Sequence, residues 1–482
     1  MLHTMPWHAF LGYIDTTGIL LLTRTSKAVR LILQNMPPAE VAVRTGRDAL
    51  PRDVVNILTM SQMMHFVALD LDLSNWRRMS NAHIRLAGIF PYCSHLRKIR
   101  IKFCALSTSE MVAMAHALKC CTGLVGIQFE NMDLGVDSGR ALADALQQLP
   151  ALETMHMTHG SFAINLDTPF GVIFQALAGR PRLHTLNLTD YGVMDAKIAA
   201  LVGVLPAFSA LSTLFLAGNE LRCPRLAHAV GTAVGNLPKL DTLDLTDMRC
   251  QCAPFSAVLA PFLQGLASAR MYQPAYCNLS MNPMGSDAMP ALGSILCADT
   301  EKHIEHLCVR YNEITDAGLS MLVREVRDRG PIRLRTLDIE SNDLGDIGVA
   351  ALGRLVKQCP FLERLYADGN AISDDGIVAL VQGLAQCNKL CQLSLGHNEI
   401  TCTGAHFLAG ALPSWLRLVD LNLEGNNIAD EGARCLAAAA LGCIALQGLS
   451  LSKNEISEDV ARELAETLRA GGFEVQEQFF FT

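Results

Sequence analysis

Leu390-Cys-Gln-Leu393-Ser-Leu395-Gly-His-Asn398-Glu-Ile400 is the stretch that decides the fold. Leu362-Glu-Arg-Leu365-Tyr-Ala367-Asp-Gly-Asn370-Ala-Ile372 precedes it, and the segments Leu418–Ile428 and Leu446–Ile456 follow with the same pattern. From Asn370 to Asn454 the asparagines recur every 28 residues, and from Asn282 through Asn312 to Asn342 every 30. A fixed period of this length marks stacked supersecondary units rather than one domain around one core. Toward the N-terminus the triplets Leu240, Leu243, Leu245; Leu211, Leu214, Leu216; and Leu183, Leu186, Leu188 keep the pattern. It relaxes at Leu152, Met155, Met157; at Leu124, Ile127, Phe129; and at Leu96, Ile99, Ile101, with Phe66, Leu69, Leu71 the first copy. With an irregular copy at Cys277, Leu279 and Asn282, about fourteen repeats lie between residues 66 and 456.

The leucines alternate, so each core is a short strand with leucines inward and the intervening residues on the opposite face. The asparagine then turns the chain, where its side chain can satisfy backbone groups along a buried ladder. A helical period follows: Leu319, Leu322, Val323 and Val326 fall at i, i+3, i+4 and i+7, as do Ile377, Leu380, Val381 and Leu384. Thr315-Asp316, Ser373-Asp374, Ala429-Asp430-Glu431 and Ser457-Glu458-Asp459 are the expected N-caps and first-turn acids. Gly318, Gly348, Gly376, Gly404 and Gly432 recur at the helix starts, where one repeat must approach the next. Strand, turn and helix in 28 to 30 residues predict an α/β solenoid. Its parallel strands line an inner face and its helices an outer one. Helices are wider than strands, so a horseshoe is expected. Between Ala253 and Tyr276 the interval lengthens, and a longer loop or displaced helix is expected there.

This pattern resembles the ribonuclease-inhibitor-like leucine-rich repeats. The organisation expected from it is an N-terminal helical cap over 1–60, repeats over 61–456 and a C-terminal cap over 457–482, with the tail after Phe473 as a capping strand. A docking motif at Phe479, Phe480 and Phe481 is the sharper alternative for the tail. The first sixty residues do not repeat, and Leu50–Leu58 is expected to be a capping helix. A proline, an apolar helix, a turn at Asp15, a second apolar helix and Ser26-Lys27 follow one another in an order that resembles an F-box. That resemblance implies docking to the Skp adaptor of a cullin-RING ubiquitin ligase through Pro6, Phe10, Leu11, Ile14, Ile19 and Leu20. The family's usual tryptophan is absent where Ala28 and Val29 stand.

Composition narrows the function. A net charge of −8 and 6% aromatic residues give no bulk attraction for nucleic acid or anionic lipid and no stacking platform. No apolar run reaches the roughly 18 residues that span a bilayer. Sixteen cysteines sit mostly in apolar patterns and none has zinc-site spacing. They imply reduced core residues and a reducing compartment, cytoplasmic or nuclear. Asp15 interrupts the approach to Ile19–Leu22 and no small-residue cleavage site follows, so no signal peptide is expected. There is no phosphate-binding loop, no H-E-x-x-H and no nucleophile elbow, so neither catalysis nor a cofactor is expected.

What remains is the outward face of the strands. Arg100 and Lys102 form a basic spot; Asp338, Glu340, Asp368 and Glu424, with Glu363 and Asp420, form an acidic strip; Phe215 and Tyr366 are aromatic anchors of the kind that hold protein interfaces. The expectation is an adaptor that receives a protein with a basic segment on the acidic strip. The alternatives are a structural component of a large assembly, ciliary or ribosome-associated, and a GTPase-activating regulator resembling those of Ran, which carry an acidic tail that this chain lacks.

Overall fold

The computed structural model describes residues 39–44, 66–72, 96–102, 108–132, 134–160, 170–248, 256–269, 273–298, 302–327 and 329–473. The chain divides into two compact units, Met1–Glu220 with Leu237–Lys239, and Leu221–Asn236 with Leu240–Thr482. Each unit is a stack of strand–turn–helix repeats, and the fold is an α/β leucine-rich-repeat solenoid.

In the first unit the described strands lie in chain order, each parallel to the next. They are β1 (Ala39–Arg44), β2 (Phe66–Asp72), β3 (Lys98–Lys102), β4 (Gly126–Glu130), β5 (Thr154–Thr158), β6 (Thr185–Asn187) and β7 (Thr213–Phe215). Helices Thr108–Leu118, Val136–Gln147, Phe170–Ala178 and Asp195–Val204 follow β3 to β6. The alternation works as the spacing predicts: Ile127, Phe129, Met155, Leu186 and Leu214 are sealed in the core, while Gln128, His156, Asn187 and Phe215 face outward. β1 was not expected. Its Ala39-Glu-Val-Ala-Val-Arg44 sequence has the period of a strand but lacks the L-x-x-L-x-L core, so the stack begins one strand earlier than the leucines show. The other residues of 1–60, including the expected capping helix and the F-box-like segment, lie outside the described residues.

In the second unit β8 (Thr242–Asp244), β9 (Tyr276–Asn278), β10 (His306–Cys308), β11 (Thr336–Asp338), β12 (Arg364–Tyr366), β13 (Gln392–Ser394), β14 (Asp420–Asn422) and β15 (Gly448–Ser450) are again parallel and in order. The stretch Ala253–Tyr276 holds a regular helix, Ser256–Ser268, with Pro261 inside it. It packs closely on the helix Pro224–Gly235. A Cβ at Gly231 would stand 2.0 Å from the Phe262 carbonyl, and one at Gly265 2.2 Å from that of His228, so only glycine permits this approach. The helix is therefore not displaced, contrary to one of the two expectations for this stretch.

The turn asparagines of this unit form the predicted ladder. Oδ1 of Asn342 accepts from the N–H groups of Asn312 (3.1 Å) and Ile314 (3.0 Å). Its Nδ2 donates to the carbonyls of Val309 (3.0 Å) and Ile339 (2.9 Å). Asn398 joins its neighbours in the same way. A buried amide that satisfies both its own turn and the previous repeat explains why the residue recurs.

The helix starts hold a surprise. Thr315 caps its own helix, accepting from the Gly318 N–H. Ser373 and Ser457 do not. Each donates its hydroxyl to the aspartate of the preceding helix, Ser373 to Asp346 (2.7 Å) and Ser457 to Asp430 (2.8 Å). Asp346 Oδ1 in turn accepts from the N–H groups of Ser373 and Gly376, and Asp374 from those of Thr401 and Gly404. Capping thus runs between repeats, and it needs the glycine. A Cβ at Gly376 would lie 2.6 Å from Asp346 Oδ1.

Candidate protein-binding face

The pleat places alternate side chains on the solvent side of each strand. In the first unit Arg100 and Lys102 stand two apart on β3, the expected basic spot. The register sets Asp70 and Asp72 of β2 opposite them on one side, and Gln128 and Glu130 of β4 on the other. Arg100 Nε donates to Glu130 Oε1 at 2.9 Å and Gln128 to the same oxygen at 2.8 Å. Arg100 is therefore paired within its own sheet. Phe215 on β7 is half-buried rather than projecting.

In the second unit Asp338 and Glu340 meet Arg310, with Tyr366 and Asp368 at the next strand and Glu424 two strands further on. Arg310 lies 2.7 Å from Glu340 and 3.6 Å from Asp338. Asp338 is buried, and that burial pushes its carboxyl pKa up to about 6 despite the Glu340 N–H it accepts and the neighbouring Arg310. Asp368 is a structural acceptor: it takes hydrogen bonds from Ser394 Oγ (2.7 Å), the Gly396 N–H (2.9 Å) and Asn422 Nδ2 (3.0 Å). Tyr366 is half-buried and donates its hydroxyl to Gln392 Oε1 at 2.7 Å. Glu424 pairs with Lys453 at 2.7 Å, which holds its carboxyl below the usual range. At the strand starts Arg335 bridges Glu305 (2.7 Å) and Glu363 (2.8 Å).

The strip is thus a lattice of paired charges with an acidic excess. Arg310 and Lys453 belong to it as much as the acids do. The signal for both was in the sequence, since each occupies a repeat position equivalent or adjacent to that of an acid, but only the register shows which carboxylate it meets.

Beside this lattice stand Tyr276, His306 and Cys308. The Tyr276 hydroxyl is 3.7 Å from Cys308 Sγ, and the Tyr276 and His306 rings are 6.5 Å apart. Burial raises the pKa of both the phenol and the Cys308 thiol and lowers that of His306. A thiol held protonated is a poor nucleophile and a poor metal ligand. Among the described residues no group of three or more His, Cys, Asp or Glu is placed to hold a metal ion, and no helix is long and apolar enough to cross a membrane. The twelve cysteines among the described residues are free thiols. Those of Cys277, Cys359 and Cys387 are buried, and burial pushes that of Cys387 up to about 11. The adaptor-docking residues Pro6, Phe10, Leu11, Ile14, Ile19 and Leu20 lie outside the described residues.

Comparison with known proteins agrees with the repeat. The Leucine Rich repeat family matches residues 301–323, 334–353 and 418–437. The chain is 26% identical to a ribonuclease inhibitor of Sus scrofa over 369 residues, covering 71% of this chain and 76% of that protein. A solved internalin structure from Listeria monocytogenes aligns over 95% of both chains at 15% identity, with a TM-score of 0.39. The chain carries leucine-rich repeats and is similar to ribonuclease inhibitor.

Proposed function

We propose that this chain is a protein-binding scaffold rather than an enzyme, and that the outward face of β10–β14 receives a partner protein through a basic segment. The alternation within single strands carries this reading. Leu337, Ile339, Leu365 and Ala367 point inward and serve the stack, while Asp338, Glu340, Tyr366 and Asp368 point outward and differ from repeat to repeat. The inward set is dictated by packing; the outward set is free to be dictated by a partner. Glu340 and Glu424 are the contact acids, because Asp368 is committed to its neighbours and Asp338 is buried on the same face.

The test is charge reversal at Glu340 and Glu424, measured against captured partners and, first among purified ones, a ribonuclease, the class of protein that the similar inhibitor is named for. Reversal is expected to weaken binding about tenfold and to change its salt dependence. Unchanged affinity removes the face from the account.

The order of residues in the N-terminal segment supports a second element of the proposal, docking of the Skp adaptor through Phe10 and Ile14. Purified adaptor should bind the full-length chain and lose the Phe10→Ala, Ile14→Ala variant. Absence of binding to the unaltered chain leaves the segment as a cap and favours the assembly-component reading.

A further inference from the structure

The rim of the second unit where helices hand over to strands carries the opposite chemistry to its strand face. One residue before the first leucine of each repeat stand, in succession, Arg333, Phe361, Lys389 and Arg417. The backbone ladder that follows is unbroken: Glu363 N–H donates to the Arg335 carbonyl, Cys391 to Glu363 and Val419 to Cys391, at 2.7 to 2.8 Å. The four residues are therefore a column, one strand spacing of roughly 4.8 Å per step. The column is organised. Arg333 Cζ is 5.5 Å and Lys389 Nζ 5.0 Å from the centre of the Phe361 ring, so the ring is clamped between two cations. Among the described residues none of Arg333, Lys389 and Arg417 has a carboxylate at ion-pair distance, whereas Arg310, Arg335 and Lys453 on the strand face are all paired.

Apolar side chains lie along the same rim. Leu416 is 81% exposed and Ile444 wholly exposed, at equivalent positions of consecutive repeats, with Val419 and Leu441 also exposed. A solvated surface has no use for a bare isoleucine and a bare leucine beside three unpaired cations. Together they are the complement of an extended segment that alternates carboxylates with bulky apolar side chains.

We propose that this rim is a second docking surface, separate from the strand face, for an acidic segment of a partner protein bearing aromatic or aliphatic residues. Its carboxylates meet Arg333, Lys389 and Arg417, and its apolar side chains cover Phe361, Leu416 and Ile444. The cation–ring contacts hold Arg333 and Lys389 in place beforehand, which lowers the ordering cost of binding.

The test uses the full chain and a fluorescent peptide of alternating glutamate and phenylalanine, followed by anisotropy at two salt concentrations, with a lysine–phenylalanine peptide as control. The glutamate peptide should bind and the lysine peptide should not. The triple variant Arg333→Glu, Lys389→Glu, Arg417→Glu should lose about tenfold in affinity, the effect of three solvated ion pairs of ordinary strength. Leu416→Ser with Ile444→Ser should weaken binding while leaving its salt dependence intact. All five positions are on the surface, and an unchanged circular dichroism spectrum establishes that the variants fold. Glu340→Lys should leave this binding untouched, which separates it from the strand-face reading. No binding of the glutamate peptide, equal binding of the lysine peptide, or indifference to the triple variant overturns the proposal. So does binding of anionic vesicles or RNA through these cations without binding of the peptide.

Discussion

The two units close the same turn in different proportions: asparagine prevails in the second and other residues in the first. In the second, the position after the strand is Met248 in the first repeat and then asparagine at 282, 312, 342, 370, 398, 426 and 454. In the first it is Met132, Gly160, Tyr191 and then Asn219. Met132 and Tyr191 are buried side chains, and the Tyr191 ring packs edge-on against Phe170 at 5.8 Å and lies over the backbone at Gly160. The asparagines, Asn219 of the first unit among them, satisfy their turn with amides that reach back to the previous repeat; Met132 and Tyr191 fill it with apolar volume. An amide ladder demands one residue type at one spacing. Apolar filling accepts any side chain of about the right size.

That difference accounts for what could be read from the sequence. The repeats from Asn282 onward are legible because hydrogen-bond geometry admits no substitute. Those at Met132 and Gly160 are faint because packing does, and β1 is invisible to a leucine count because its Val41 and Val43 give period without the core pattern. The outward residues were legible as positions but not as a site. Sequence shows that Asp338 and Asp368 face outward; it does not show that Arg310 has already met one of them, or that the other is spent on Ser394 and Asn422. Charges on neighbouring strands are distant in sequence, and only the register pairs them. The inter-repeat capping by Asp346 and Asp430 was missed for the same reason: a serine before a helix reads as a cap for its own helix.

The contrast between the units can be broken most sharply at the ladder. Asn398→Leu should destabilise the second unit by on the order of 4 kcal/mol in urea unfolding, because several buried backbone groups lose partners together. Met132→Leu should cost under about 1.5 kcal/mol. Equal costs would mean the two turns are not closed differently.

Next is pH. The folded-state pKa of Asp338 is about 6, above its ordinary 3.8, because burial penalises the charge. The folded state holds this proton more tightly than the unfolded one, so Asp338 costs stability as pH rises from about 4 to about 6 and no more above it. Relative to wild type, Asp338→Asn should therefore gain about 2 kcal/mol between pH 4 and pH 7. A difference that stays flat with pH contradicts the burial argument.

Helix packing gives a smaller contrast of opposite sign. A Cβ at Gly383 would lie 2.2 Å from the Gly353 carbonyl of the neighbouring helix, whereas nothing stands within 4 Å of one at Gly203 in the first unit. Gly383→Ala should cost about 2 kcal/mol, and Gly203→Ala should stabilise by about 0.8 kcal/mol, both read from thermal unfolding. Smallest is Tyr311→Gly: with φ at +52° the tyrosine sits in the left-handed region, and glycine should recover about 0.5 kcal/mol.

The outward face of β10–β14 is proposed to do the binding. Affinity capture with the full chain tests it most directly, comparing wild type, Glu340→Lys with Glu424→Lys, and a helix-side control, Arg324→Glu with Glu431→Lys. Proteins retained by wild type should be lost from the strand-face variant and kept by the helix-side control. The same proteins retained by the strand-face variant and lost from the control would contradict it.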